Sequence, residues 1–264
     1  MDTVICDTSV WYHISNGIIT KDKLENKHLV LTNVSVREIS YSPHLTKRMD
    51  LIVRVIRTMH ENHKIAIPYN PWDHIIKLFH PSFVGDTKSF DKSLNGFNVL
   101  LANFPHLNIS TSTIDVAQSQ IDEIRCNLSS ISEHFNNGLE EIRAKINIDS
   151  NKQKHRNTSF RLDWKRFFSN WVSNYSKQYN DEDFVLDIHS PVWEKLEFFL
   201  AVWEEFFKQL EVDKTGIITQ NDWADILNMV YVQPWCKFWI REKKWHNIFS
   251  QNPFFSRYVI PYEG

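Results

Sequence analysis

The stretch Thr3–His13, TVICDTSVWYH, decides how the chain is read. Val4, Ile5 and Cys6 make a short run of β-forming apolar residues, the pattern of a strand buried on both faces of a parallel sheet. The run stops at Asp7, and two hydroxyls, Thr8 and Ser9, follow before an aromatic pair. Where a parallel strand hands over to a helix, an acid stands at the carboxyl edge of the sheet, the usual place for a ligand or metal ion. Asp7 or Thr8 is equally suited to capping the following helix through a side-chain oxygen. The fragment alone leaves both uses open.

The same strand-then-acid pattern recurs. HLVLT, His28 to Thr32, reads as a strand, and in the next segment, NVSVREIS, Asn33 suits a cap for a helix carrying Val36, Glu38 and Ile39. Leu51, Ile52, Val55, Ile56 and Met59 then recur at helical spacing, before a short strand KIAIP and a helix entered through Asn70 and Pro71. In GIITQNDWADILNMVYV, Thr219 suits an N-cap with Asp222 three residues on, and Ile226, Leu227, Val230 and Tyr231 share one face. Asp222 and Asp225 are three apart, so both can point to one side of the first turn. After Pro234, CKFWI reads as a strand ending at Arg241 and Glu242, and KKWHNIF resumes as a helix.

Between these ends the pattern is helical. From Asp115 to Ile148 apolar residues recur at intervals of three and four. INIDSNKQKHRNTSF breaks the pattern and reads as a solvent loop or link. Two aromatic-rich helices follow, LDWKRFFSNWVSNYSKQY and PVWEKLEFFLAVWEEFFKQLE. Aromatics repeating at helical spacing are core side chains more often than an interaction surface.

Composition sets outer bounds. A chain of 264 residues with a net charge of −2 can bury a substantial core and has no bulk basic field, so contact with nucleic acid must come from local patches. Only six glycines favour long helices over tight hairpins. Cys6, Cys126 and Cys236 are far apart and odd in number. They suggest neither a disulfide framework nor a zinc knuckle, and a cytoplasmic location is the expectation. No apolar stretch is long enough for a bilayer, so no membrane partner is expected.

The strand-exit acids are Asp7, Glu38, Asp225 (with Asp222 as the alternative) and Glu242. If their strands are parallel and adjacent, the carboxylates gather at one sheet edge. Like charges so gathered raise one another's pKa unless a cation compensates. All-oxygen ligands without Cys or His favour Mg²⁺ or Mn²⁺ over zinc.

VICDTSVW, NVSVREIS and DILNMVYVQPWCKFWIREKKW together resemble the acidic motifs of PIN-domain nucleases, a group that includes the toxin ribonucleases of bacterial toxin–antitoxin pairs. The resemblance spans roughly residues 2–42 and 217–250. It implies an α/β fold with a PIN-like parallel sheet flanked by helices, a Mg²⁺ or Mn²⁺ cofactor, and hydrolysis of RNA phosphodiester bonds. It also implies that Asp7 is the first acid, with Ser9 and Thr8 supporting it, Glu38 the second, Asp225 the third and Glu242 the fourth. Glu242 stands where the family more often has Asp, and Ile240 where Thr is common. The expected organisation is a discontinuous nuclease core, 1–49 and 212–264, around a large, mostly helical insertion, 50–211. A single-stranded RNA substrate and an antitoxin or other protein partner are the partners so implied.

Other readings of these residues are weaker. DTSVW lacks the second acid, two residues after the first, that haloacid-dehalogenase-like phosphatases use. EVDKTGIITQND has EF-hand spacing from Glu211 to Asp222, but Glu at the first position and the short Asp at the last make a poor calcium cage. KQKHRNTSFRLDWKR and REKKW, with Arg241, Lys243 and Lys244, could contact phosphates while Trp164 or Trp245 stacks on bases. A solvated face is the plainer account of those cations. The runner-up function is a catalytically silent PIN-like module that binds or scaffolds through its aromatic helices.

Overall fold

A computed structural model describes residues 1–104, 159–179, 183–213 and 215–262, with scattered positions between 115 and 140. In chain order these carry β1 (Asp2–Cys6), α1 (Thr8–Ser15), β2 (Lys27–Thr32), α2 (Asn33–Ser40), the single turn α3 (His44–Lys47), α4 (Met49–Asn62) and β3 (His63–Ile67). There follow α5 (Pro71–Phe79), α6 (Lys88–Asn103), α7 (Ser159–Tyr179), α8 (Glu197–Val212), α9 (Gln220–Met229), β4 (Cys236–Trp239) and α10 (Lys243–Ser250). Most of the amphipathic pattern at 115–148, and the polar segment after it, lie outside the described residues.

The chain divides into two compact units. The sheet-bearing unit comprises Met1–Asn70, Asp86–Leu128 and Trp235–Gly264. Its sheet has four parallel strands in the order β3-β2-β1-β4. Val4 lies opposite Leu29 of β2 and Lys237 of β4, so β1 is central and its apolar run has a strand on each side. Both faces are covered. Val4, Cys6, Leu29 and Leu31 point into a cluster with Val10, Trp11, Ile52, Ile56 and Phe90, while Ile5, Val30 and Phe238, which alternate with them, are also buried. Period-two alternation with apolar residues on both sides is why these strands read as continuous apolar runs. The outer edge of β4 is covered by the C-terminal segment, with Phe238 N–H donating to Tyr258 O at 2.6 Å and Ile260 N–H to Phe238 O at 3.0 Å.

The helical unit comprises Pro71–Gly85 and Ser129–Pro234. Its interior is aromatic. Trp203 meets Phe168 edge-on at 5.5 Å and lies 5.3 Å from Trp223, and Trp72 stacks on Trp171 at 5.1 Å. Trp193, Phe198, Phe199 and Trp203 are all but inaccessible, so the aromatic stripes form a core.

The boundaries fall elsewhere than at 49 and 212. Residues 50–70 belong with the sheet, because α4 supplies Leu51, Ile52, Val55 and Ile56 to its core and β3 pairs with β2. Residues 212–234 belong with the helical unit, because α9 carries Trp223 into the aromatic cluster. Among the described residues no helix is long and apolar enough to cross a membrane.

Candidate functional site

The sheet order sets the location. β1, β2 and β3 step outward in one direction and β4 then takes the opposite side of β1, so the chain reverses between β1 and β4. In open parallel sheets the crevice beyond the carboxyl ends of two such strands is where ligands bind. Asp7 leaves β1 there, and Ile240, Arg241 and Glu242 leave β4. Asp7 N–H donates to Trp239 O at 2.9 Å, which continues the ladder by one rung and fixes the Asp7 backbone against β4.

Asp7 does half of what a cap does and leaves the other half undone. It is the N-cap of α1, and its Oδ2 accepts from Ser9 N–H at 2.9 Å and Ser9 Oγ–H at 2.6 Å. Its Oδ1 is buried and has no hydrogen-bond partner. A buried acceptor without a donor is costly, the more so on a carboxylate. Ser9 also ties the two strand ends together, since Arg241 N–H donates to its Oγ at 3.2 Å.

Glu38 is brought to the same edge by α2. Thr32, rather than Asn33, is the N-cap, and its Oγ1 accepts from Ser35 N–H at 3.2 Å. Ser35 Oγ–H reaches across to Cys6 O at 3.1 Å and straps the start of α2 to the end of β1. Thr8 Oγ1–H donates to Glu38 Oε2 at 2.5 Å. Glu38 is half-buried. Burial, then the charge of Asp7 and, more weakly, that of Glu242, push its pKa up to about 8 against the opposing bond from Thr8. Glu38 therefore sits in the field of both Asp7 and Glu242. Burial, aided by Asp7, also pushes the Cys6 thiol up. Glu242 occupies the N-cap position of α10, where its side chain makes no capping bond.

Asp222 forms a capping box with Thr219, whose N–H and Oγ1–H donate to Asp222 Oδ2 at 2.8 and 2.9 Å. Asp225 is buried on the same helix, α9, and both acids belong to the helical unit. Trp245 cannot stack on bases. It is fully buried against Phe249, because the face of α10 it occupies is the core face. Trp164 is likewise core, packed on Phe207 at 4.9 Å. Lys243 and Lys244 are exposed, with Lys244 Nζ 5.6 Å above the Trp245 ring. Arg241 holds its guanidinium 5.1 Å from the ring centre of Tyr262.

Two contributors escape a reading of the sequence. Asn33 is buried at the exit of β2, donates from Nδ2 to Pro68 O at 2.9 Å, and leaves Oδ1 buried without a partner. Tyr262 lies 20 residues beyond Glu242 in irregular chain, where no periodicity marks it. Among the described residues no three His, Cys, Asp or Glu side chains converge closely enough to hold an ion by themselves. No family model, curated protein or solved structure matches the chain, so the site is read from its own geometry.

Proposed function

We propose that the sheet-bearing unit is a PIN-like, divalent-cation-dependent ribonuclease that hydrolyses phosphodiester bonds of single-stranded RNA, with Asp7 as the central ligand and Glu38 and Glu242 beside it. The observation that carries this reading is the divided carboxylate of Asp7, one oxygen clamped by Ser9 and the other buried without a donor at the switch point of the sheet. A cap needs one oxygen. The second is oriented and unspent.

The donor set fits Mg²⁺ or Mn²⁺. Mg²⁺ keeps several waters and is commonly held by one or two carboxylates together with substrate phosphate, so a closed cage of three protein ligands is not required. When bound, such an ion supplies a more acidic water and neutralises charge on the leaving oxygen. The chain's own residues do the rest. Ser9 fixes the rotation of the Asp7 carboxylate through two bonds. Thr8 holds one oxygen of Glu38 and leaves the other for a ligand or a proton. Glu38, its pKa pushed up to about 8, would have to release a proton to hold a cation. Glu242, on the longer side chain, would hold such an ion less directly. The assignment rests on the three acids of the sheet-bearing unit. The aromatic stripes on which a scaffold role would depend are buried among themselves.

The test is cleavage of single-stranded RNA with Mn²⁺ or Mg²⁺. Asp7→Asn keeps the shape of the side chain and its bond from Ser9 but removes the charge. Losing an outer partner of a metal site costs about 10–100-fold, and losing this ligand should cost more than about a hundredfold. The thermal melt of the metal-free variant should be no lower than that of the wild type, since one anion fewer crowds Glu38. Equal cleavage by both proteins would remove Asp7 from the chemistry.

A further inference from the structure

Arg241 stands one residue from Glu242 and is bonded through its N–H to Ser9, whose hydroxyl holds Asp7. An arginine next in sequence to an acid, with its backbone tied to the serine that holds another, would be expected to pair with a carboxylate if its role were structural. It does not. Its guanidinium lies on the face of Tyr262, 5.1 Å from the ring centre, and its Nε is buried without a hydrogen-bond partner. Among the described residues no carboxylate pairs with it. Other cations differ: Arg54 is bound to Asp50 at 3.1 Å, Lys177 to Asp183 at 3.0 Å and Lys208 to Glu204 at 3.0 Å.

The edge thus holds two unspent groups of opposite sign, Asp7 Oδ1 and the Arg241 side chain, and Ser9 ties the backbone amide of the second to the other carboxylate oxygen of the first. Two further cations follow Arg241 in the chain. α10 starts without a side-chain cap, and its first two residues, Lys243 and Lys244, are exposed lysines. A guanidinium is planar, presents several donors in a fixed fork that matches phosphate, and stays charged when stacked on an aromatic ring. The stack also fixes the side chain before a ligand arrives, so less rotamer freedom is lost on binding.

We propose that Arg241, pre-positioned on Tyr262, seats a backbone phosphate of a single-stranded nucleic acid next to the phosphate that faces Asp7. This inference rests on the nuclease reading, and it adds the residue that binds substrate independently of the cation. Lys243 and Lys244 contribute general attraction. Arg241 supplies the directed contact.

The experiment is binding of a short labelled single-stranded RNA, and of DNA of the same sequence, by fluorescence anisotropy in EDTA over a range of salt. Arg241→Gln should weaken RNA binding about tenfold, the loss of one charge-assisted bond. It should also make the salt dependence shallower by about 0.7, one phosphate contact on a single strand. Arg241→Lys should recover only part of the loss. Tyr262→Phe keeps the ring and should match wild type, whereas Tyr262→Leu should behave like a milder Arg241→Gln. DNA weakened to the same degree as RNA places the contact on phosphate, and a loss confined to RNA would overturn the phosphate assignment. Unchanged affinity and salt slope in Arg241→Gln, or no binding by wild type, would overturn the inference. Failure of the nuclease reading appears separately, as wild type that binds through Arg241 yet cleaves nothing with Mn²⁺.

Discussion

Asp7 in the sheet-bearing unit and Asp222 in the helical unit are both buried aspartates at a helix start, and both accept bonds from residues of that start. Asp222 answers Thr219 twice through Oδ2 and receives in exchange a capping box in which side chains and backbone satisfy each other. Asp7 accepts two bonds from Ser9 on one oxygen and leaves the other buried and unanswered. The same residue type, as N-cap of one helix and at N3 of another, thus completes a capping box in the helical unit and leaves one oxygen without a hydrogen-bond partner in the sheet-bearing unit. Polar groups of the helical unit are arranged around an aromatic core. Those of the sheet edge include a carboxylate oxygen that no donor answers.

The largest effect that could break this contrast lies in the helical unit. Trp203→Ala should cost about 3–5 kcal/mol in chemical denaturation, because the ring is almost fully buried among Phe168, Trp223 and their neighbours. A cost under about 1 kcal/mol would mean that the aromatic stripes are not the core and would reopen their use as a binding face.

The two units should also answer pH in opposite directions. Glu38 has an ordinary pKa of 4.5 and a folded value of about 8, so between these the folded chain holds a proton that the unfolded chain has released. Its contribution to stability is full below pH 4.5 and is lost as pH rises through about 8. His74 of the helical unit, buried beside Tyr231, is lowered by burial from 6.5 to about 4. The unfolded chain there binds the proton first, so stability from His74 is full above pH 6.5 and is lost as pH falls through about 4. Metal-free melts across this range should rise and then fall. Glu38→Gln should flatten the alkaline limb and His74→Phe the acid limb. A profile unchanged by Glu38→Gln would deny that the acids press on one another.

The smallest effect sharpens the comparison. Thr219→Ala removes one half of the capping box and should cost about 1 kcal/mol with no change in any cation-dependent property. A change in Mn²⁺ binding in that variant would draw Asp222 into the site after all.

Much of this was legible in the chain and some was not, for physical reasons. Val4–Cys6 and His28–Thr32 announce buried parallel strands because both faces must be apolar, and the Thr219 cap with Asp222 at N3 is a purely local pattern. Asp7 was legible as a cap or a ligand but not as both, because only the fold shows that Ser9 occupies one oxygen and nothing the other. The domain boundaries were hidden, since whether α4 and α9 serve the sheet or the helices depends on long-range packing of apolar faces that look alike in sequence. Trp245 is hidden for the same reason: a lysine-flanked tryptophan can read as a surface ring, whereas its helical face is the core face. Tyr262 gave no signal, since its partner Arg241 is reached only through the path of the C-terminal segment along β4.

Calorimetric titration of the wild-type chain with Mn²⁺ at pH 7, in two buffers of different ionisation enthalpy and beside Asp7→Asn, most directly tests whether the unspent Asp7 oxygen and the protonated Glu38 form one cation site. The account predicts binding by the wild type with release of close to one proton, because Glu38 enters protonated, and binding at least about a hundredfold weaker in Asp7→Asn. Wild type that binds no Mn²⁺, or binding undiminished in Asp7→Asn, would contradict it.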